Sequence, residues 1–526
     1  MESVVRYPNN DALFVNEVSY SYGQLMGKVL DISNVVQQFK NGTDSLIGVY
    51  AGRSVSMFAG ILAALYCGAG YVPINPLLPN RRNLRVLLSS DVRIIITESS
   101  YLDNLIDMLT SVEKKFWIVV ADKNRINSKA PESTKVFATR DRNTVNDIDP
   151  NWDLNVQENS IAYLLFTSGS TGEPKGIGIT HKNVVHFVES MLFRYQLDPS
   201  DKFIFLPEFT FDLSIFPLWV AWGIGASVYC VPRKLCMAPA GFIGDHSITV
   251  WCSVPSTIVF METLGLLKPG AFPSVRFSVF CGEPLLQSSI EEWKKSAPHS
   301  TVDNYYGPTE ATVFCAIYPW KNDSAEECYN GIAPIGKAFP GHEIALVDNS
   351  DKLVKNGEVG EICVCGPQVA EGYWKDPERT GRKFVGLVVD DNNARRWYKT
   401  GDLAKKNKYQ NLLFVGRKDE QVQISGYRVE LAEVENAIRD ATGCKMVAAL
   451  GYRLRPELPK CIIVFIEDQR AGIQYTDNIC REHLPEYMMP KEYHTIKKMP
   501  LNKNGKIDKI ALYKMREANV ANEPIY

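Results

Sequence analysis

Residues Tyr163–Gly176 read "YLLFTSGSTGEPKG". An apolar run stops abruptly at a string of hydroxyls and glycines and ends in Glu173-Pro174-Lys175-Gly176, the pattern of a buried strand that delivers a phosphate-binding loop. A Walker loop requires Gly-x4-Gly-Lys-Ser/Thr, with backbone amides cradling the phosphates. Here Pro174 stands where the second glycine belongs and has no N–H to donate, and Gly176 replaces the Mg²⁺-binding hydroxyl. The Walker reading fails. What remains is a flexible loop carrying Thr167, Ser168, Gly169, Ser170, Thr171, Gly172 and Lys175, suited to holding a pyrophosphate group temporarily. A solvated Gly/Ser turn does not account for so many hydroxyls directly after a buried strand.

Outward from this loop, short apolar runs alternate with helical patterns. "SLIGVYAG", "VRIIITES", "FWIVVAD", "FIFLP", "ITVWCSVP" and "VRFSVFCG" read as buried strands. "VSMFAGILAALYCG", "KNVVHFVESMLFRY" and "STIVFMETLGLL" carry apolar residues at helical spacing. This alternation predicts an α/β protein of layered, mostly parallel sheets with helices, whose ligands sit beyond the carboxyl ends of strands. After Gly360 the texture turns to shorter, more alternating strands, "GEICVCG", "RRWYKTGDLA" and "LLFVGRKDEQVQISG", which predict a β-rich subdomain. The period then changes to a helix carrying Leu431, Val434 and Ile438 on one face. The expected division is a core at residues 1–417, with its β-rich part at about 330–417, and a small α+β domain at 418–526.

Composition narrows the class. With 526 residues the chain exceeds the roughly 250–300 at which single cores divide. Its 58 basic and 60 acidic residues leave a net charge of −2, so neither a nucleic-acid surface nor a membrane surface is expected. The 12 cysteines are scattered, and Cys363 and Cys365 fall on one face of a strand, which reads as reduced core thiols. "MESVVRYPNNDALF" lacks a signal-peptide organisation and no apolar run reaches membrane-spanning length, so membrane insertion is not expected and a cytoplasmic protein is.

Further motifs follow the loop signature in order. They are "LYCGAGYVPINPLLP" (Leu65–Pro79), "FTFDLSIFPLW" (Phe209–Trp219), "NYYGPTEATV" (Asn304–Val313), "GEICVCGPQVAEGYW" (Gly360–Trp374), "YKTGDLA" (Tyr398–Ala404), "GRKDEQVQISGYRVELAEVE" (Gly416–Glu435) and "PLNKNGKID" (Pro500–Asp508). Together they resemble, over essentially the whole chain, the adenylate-forming superfamily of acyl-CoA synthetases, luciferases and peptide synthetase adenylation domains. The resemblance implies ATP and Mg²⁺ as cofactors, a carboxylate substrate activated on the α-phosphorus, and a small mobile C-terminal domain.

The same resemblance distributes roles. Tyr306 offers an aromatic face to adenine, Asn304 its amide, and Tyr305 and Gly307 line the nucleotide; Thr309 donates to the α-phosphate, and Glu310 is the Mg²⁺ ligand. Asp402 is similar to the ribose-hydroxyl ligand, supported by Arg417. Lys506 bridges the substrate carboxylate and the α-phosphate, so that the catalytic set is Lys506, Thr309, Glu310 and Lys175. Asp419 matches the hinge about which the C-terminal domain turns before thioester formation, and "QISGYR" around Gly426 matches the pantetheine tunnel loop. Gln423 departs from the lysine often found in relatives. Taken singly, Asp402, Arg417 and Lys506 read as surface charges, and "YYGPTE" as a turn with a solvated glutamate.

Asp212 bears on which acid is activated. In amino-acid-activating relatives an aspartate here binds the α-ammonium; acyl- and aryl-activating relatives generally lack it, because a buried carboxylate is costly without a cation. The alternative for Asp212 is a helix cap ahead of "LSIF". The motifs imply a pocket of Asp212, Leu213, Phe216, Ser253, Val279, Cys281, Gly282, Tyr305, Val313 and Phe314, with no second charge for an ionic side chain. "FDLSI", "FCGEPL" and "YGPTEATV" look most like the D-alanine–carrier protein ligase branch, in which a cysteine near the Cys281 position helps set chirality. A small neutral amino acid, alanine first, is expected, with a separate phosphopantetheinyl carrier protein as partner. The alternatives are an acyl- or aryl-CoA synthetase using coenzyme A, and a non-catalytic relative, which the presence of Lys175, Glu310, Asp402 and Lys506 disfavours.

Overall fold

The computed structural model describes the chain apart from residues 1, 43–44, 124–129, 132, 140–155, 170–173, 322, 389–393, 420, 454–459, 468–471, 503–506 and 521–526. Its contacts group into two units: Met1–Leu77, Asn83–Thr167 and Lys175–Asp419 in one; Leu78–Arg82, Ser168–Pro174 and Glu420–Tyr526 in the other.

Three sheets organise the first unit among its described residues. One is nine-stranded, in the order Lys337–Ala338, Ala316–Pro319, Thr301–Tyr306, Phe277–Phe280, Val250–Ser253, Lys202–Phe205, Ser227–Cys230, Asp11–Val15, Val18–Ser21. Its six central strands, from Thr301–Tyr306 to Asp11–Val15, run parallel. A seven-stranded sheet runs Thr134–Ala138, Phe116–Val120, Ile94–Thr97, Leu46–Tyr50, Gly70–Ile74, Ile161–Thr167, Lys175–Thr180, and only its last pair is antiparallel. The third, built from Glu343–Val347, Gly360–Cys365, Phe384–Leu387, Arg395–Lys406 and Leu412–Arg417, is wholly antiparallel. The α/β fold with mostly parallel sheets and a β-rich part is what the sequence pattern predicts.

The apolar runs are continuous because their elements are covered on every side. Helix Val55–Tyr66 lies against helix Tyr22–Val36 and strands Leu46–Tyr50 and Gly70–Ile74, and Met57, Phe58, Ala59, Ile61 and Ala63 are fully buried. Alternation appears where a strand separates two cores: Val279 and Phe280 enter different hydrophobic clusters. Three details differ from the sequence reading. "STIVFMETLGLL" is helical only over Pro255–Thr263, because Gly265 at φ +66° ends it in the left-handed region. "LLFVGRKDEQVQISG" is two strands, Leu412–Arg417 and Gln421–Ile424, rather than one. "RRWYKTGDLA" lies in a strand of 12 residues, long because it pairs with three neighbours in turn. Cys363 and Cys365 share the small core around Trp397, and all 12 cysteines are free thiols.

The second unit packs helices Leu431–Thr442 and Ile473–His483 around strands Val447–Tyr452, Cys461–Glu467 and Glu492–Ile496, with a hairpin of Gln421–Ile424 and Tyr427–Glu430. Leu431, Val434 and Ile438 form the buried stripe of its first helix, as their spacing predicts. No helix among the described residues is long and apolar enough to cross a membrane.

Candidate active site

The glycine- and hydroxyl-rich loop connects two antiparallel strands rather than a strand and a helix. Thr167 stands opposite Lys175, and Phe166 opposite Gly176. A Cβ on Gly176 would lie 3.0 Å from the Trp374 side chain and 3.1 Å from the Phe166 ring, so close packing fixes a glycine here. Thr167 Oγ1 is buried without a hydrogen-bond partner among the described residues, an open acceptor or donor at the loop's first residue. Ser168 and Gly169 belong to the second unit, where the Ser168 hydroxyl donates to the Arg428 carbonyl at 2.6 Å and accepts from the Glu430 amide at 3.2 Å. Ser170, Thr171, Gly172 and Lys506 lie outside the described residues.

Lys175 begins the return strand and is almost wholly buried. Its Nζ lies 3.2 Å from Glu310 Oε1, and the Tyr373 hydroxyl donates to the same oxygen at 2.8 Å. The ammonium also sits 5.2 Å from the centre of the Tyr373 ring. Glu310 is completely buried in the short turn Thr309–Ala311, and its carbonyl accepts from the Ala370 amide. The hard carboxylate of Glu310 is a ligand type that fits Mg²⁺ carried in on phosphate oxygens, with Lys175 as a further positive charge for those oxygens. Among the described residues no group of three His, Cys, Asp or Glu side chains offers an all-protein cage.

Adjacent parallel strands bring the other predicted residues together at their carboxyl ends. Ser253 pairs in register with Phe280, and Phe280 with Asn304, so that Ser253, Phe280 and Asn304 lie side by side; Cys281–Gly282 follow where their strand ends, while Tyr305 and Tyr306 stay paired with Ile317 and Ala316. Asn304 is buried and donates its side-chain N–H to the Pro334 carbonyl at 2.8 Å, which commits part of the amide expected to face adenine. The Tyr306 hydroxyl donates to Asp402 Oδ2 at 2.6 Å. Burial, reinforced by the Asp402 charge, holds that phenol well above its usual range and therefore protonated. Asp402 and Arg417 stand opposite each other on neighbouring antiparallel strands and form an ion pair. Arg417 turns its other edge to Asp419, with Nε 2.6 Å from Oδ1 and Nη2 2.7 Å from Oδ2. The expected ribose ligand and the expected hinge residue thus share one guanidinium.

The wall expected to meet the substrate side chain is aromatic. Phe314 lies 4.5 Å from Tyr305, 5.6 Å from Phe187 and 6.0 Å from Phe216, centre to centre, and Leu213, Val279, Cys281 and Val313 join the same buried cluster. Asp212 opens a short turn there and is 8% exposed. The cap position of that turn is Phe211, with no side-chain cap bond, so Asp212 does not serve as its helix cap. Burial, then the negative charge of Asp212, pushes the Cys281 thiol far up and keeps it neutral. Tyr305 is supported from behind: Tyr195 Oη bonds both its hydroxyl and Asp303, each at 2.6 Å, and Arg194 pairs with Asp303.

The chain crosses this wall in a sharp, strained path. Thr312 and Val313 have φ of 55° and 68°, a conformation that costs a β-branched residue about 1–3 kcal/mol. Gly307 passes so close that a Cβ there would meet the Val313 carbonyl oxygen at 2.4 Å. Tyr373 and Gln368, both in "GPQVAEGYW", touch this region without having been singled out in the sequence; their signal was only membership of that motif.

Residues 1–374 match the family described as "AMP-binding enzyme". Gramicidin S synthase 1 of Brevibacillus brevis is 30% identical over 517 residues, covering 97% of this chain and 43% of that protein. The chain therefore spans less than half of that relative's length. The L-proline–[L-prolyl-carrier protein] ligase of Pseudomonas fluorescens is 28% identical over 522 residues and is matched over 98% of both chains. Among solved structures, the Vibrio cholerae adenylation domain AlmE, in complex with glycyl-adenosine-5'-phosphate, superposes with a TM-score of 0.86 at 25% identity, over 98% of this chain and 96% of that one. From the loop signature, the parallel sheets and these matches together, the chain belongs to the AMP-binding enzyme family.

Proposed function

We propose that the protein activates a small neutral amino acid, alanine first, as its aminoacyl-AMP, and then transfers it to the phosphopantetheine thiol of a carrier protein on a separate chain. The observation that carries this reading is Asp212, a carboxylate held at 8% exposure near the Cys281 thiol, four residues before Phe216 of the aromatic wall. An α-ammonium is the substrate group that compensates such a charge. The bulk of Phe216, Tyr305 and Phe314 favours a small side chain. The relative named as a prolyl-carrier protein ligase and the glycyl-adenylate complex of AlmE support an amino acid and a carrier.

In the first half-reaction a substrate carboxylate oxygen attacks the α-phosphorus of ATP, and the bond to the β-phosphate oxygen breaks with its electron pair leaving on pyrophosphate. Tyr306 and Asp402 hold adenine and ribose, Arg417 fixes Asp402, and Thr309 donates to the α-phosphate. Thr167, Ser168, Ser170, Thr171 and Lys175 clamp the β- and γ-phosphates, and Lys506 neutralises the approach of two anions. Glu310 would hold Mg²⁺, which supplies charge neutralisation at the phosphates. In the second half-reaction the carrier thiol, losing its proton to solvent, attacks the carbonyl carbon and AMP leaves. Asp419 is the proposed hinge between the two steps. The free thiols throughout the chain support a reducing, cytoplasmic setting.

ATP–pyrophosphate exchange with a panel of glycine, D- and L-amino acids, fatty acids and aryl acids tests the reading. Exchange confined to small amino acids is expected. Exchange driven only by fatty or aryl acids, with coenzyme A as acceptor, would replace it with the acyl- or aryl-CoA synthetase alternative.

A further inference from the structure

Gln368 is fully buried, and its side-chain amide nitrogen faces three backbone carbonyls: Phe314 at 2.7 Å, Thr312 at 3.2 Å and Ala311 at 3.4 Å. Its own carbonyl accepts the Thr312 hydroxyl at 2.6 Å. One residue thus binds the segment 311–314 from both its backbone and its side chain. That segment contains Thr312 and Val313, the two β-branched residues held at positive φ, and it follows Thr309-Glu310 directly. Nothing in the local sequence favours such a path, so something outside the segment must enforce it.

The amide can point only one way. Three carbonyl oxygens require the NH₂ end, which leaves Oε1 facing His186 Nδ1 at 3.1 Å. Since Oε1 only accepts, His186 must carry its proton on Nδ1. Asn183, one turn earlier on helix His181–Arg194, donates to the Pro367 carbonyl at 2.7 Å and so ties the same helix to the residue before Gln368. The chain of restraint runs from a capped helix through His186 and Gln368 to Val313 and Phe314.

We infer that Gln368, oriented by His186, is a positioning residue that sets the depth of the substrate pocket by holding Ala311–Phe314 in its strained path. The inference rests on the proposed function only in taking Val313 and Phe314 as substrate-facing. Without the amide, the Ala311 and Phe314 carbonyls lose its N–H, the Thr312 carbonyl keeps only the Phe314 amide, and the segment relaxes toward negative φ, carrying the Phe314 ring away from Tyr305 and Phe216.

Gln368→Met keeps the volume and removes both donors. Under the inference it raises KM for the preferred amino acid by about tenfold or more, leaves KM for ATP within about twofold, and narrows the discrimination between alanine and valine. A side chain that only fills space would give near wild-type kinetics with methionine, and that result overturns the inference, as does an equal rise in both KM values. If Gln368→Met fails to melt cooperatively, His186→Phe decides: it keeps the glutamine and removes its orienting partner, so the amino-acid KM should rise about two- to fivefold, and an unchanged KM overturns the inference. Should the wild-type protein exchange only with a fatty or aryl acid, the proposed function falls while the KM comparison with that acid still tests Gln368.

Discussion

Lys175 Nζ and Glu310 Oε1 lie 3.2 Å apart in a region where both side chains are buried. The two come from strand Lys175–Thr180 and from the turn after strand Thr301–Tyr306, so their pairing ties the loop's exit to the proposed Mg²⁺ ligand. Lys175→Ala leaves a carboxylate without its cation and is expected to lower unfolding stability by about 3 kcal/mol, readable in denaturant titration. In catalysis it should slow adenylate formation while sparing thioester transfer from a preformed adenylate. Equal loss of both steps would show that the loop does not act as a clamp on the leaving pyrophosphate.

Tyr306 and Arg417 converge on Asp402 from opposite sides. A hydrogen bond to a charged group contributes about 1.5–3 kcal/mol, so Tyr306→Phe should raise KM for ATP between about tenfold and a hundredfold. The amino-acid KM should stay unchanged. Initial-rate exchange at varied ATP checks this, and a rise confined to the amino acid would contradict the nucleotide assignment.

Asp212→Asn removes the charge proposed to meet the α-ammonium while keeping the side chain's shape. The affinity for the amino acid is expected to fall by at least about thirtyfold, the lower end of the effect of breaking a desolvated charge pair. Isothermal calorimetry with the amino acid alone measures it. Undiminished binding by the variant would remove the main support for an amino-acid substrate.

His342 gives a pH dependence that does not involve the chemistry. Burial first, then repulsion by His186, lowers its pKa from 6.5 to about 4, and among the described residues neither ring nitrogen finds a side-chain partner. The unfolded chain therefore takes up a proton between about pH 6.5 and pH 4 that the folded protein refuses. Stability from this residue is complete above that window and lost as pH falls through it, by up to about 3 kcal/mol. His342→Phe should flatten the decline in Tm between those values; an identical slope in the variant would assign the decline to other groups.

The layers were legible in the sequence because they depend on local pattern. The strand ending at Thr167, the parallel strands ending at Ser253 and Phe280, and the helix stripe of Leu431, Val434 and Ile438 all carry their period in the chain itself. Relations across the chain were not legible. The resemblance associated Arg417 with Asp402, but their direct pairing follows from the register of two strands, which no motif encodes. Tyr373 reaches Glu310 across 63 positions, and Gln368 reaches Phe314 across 54. Both sit in a segment whose glycines and apolar residues read as a strand and turn, so neither polar group declared a target. Likewise no local pattern foretold the bonds of the Ser168 hydroxyl to the backbone at Arg428 and Glu430.

The central claim is amino-acid adenylation, and trapping the adenylate with hydroxylamine tests it most directly. Purified protein, ATP, Mg²⁺ and labelled alanine or glycine should yield the corresponding aminoacyl hydroxamate together with pyrophosphate, and Lys506→Ala should abolish the product while keeping the wild-type melting curve. Hydroxamate formed from a fatty or aryl acid, and from no D- or L-amino acid or glycine, would contradict the account.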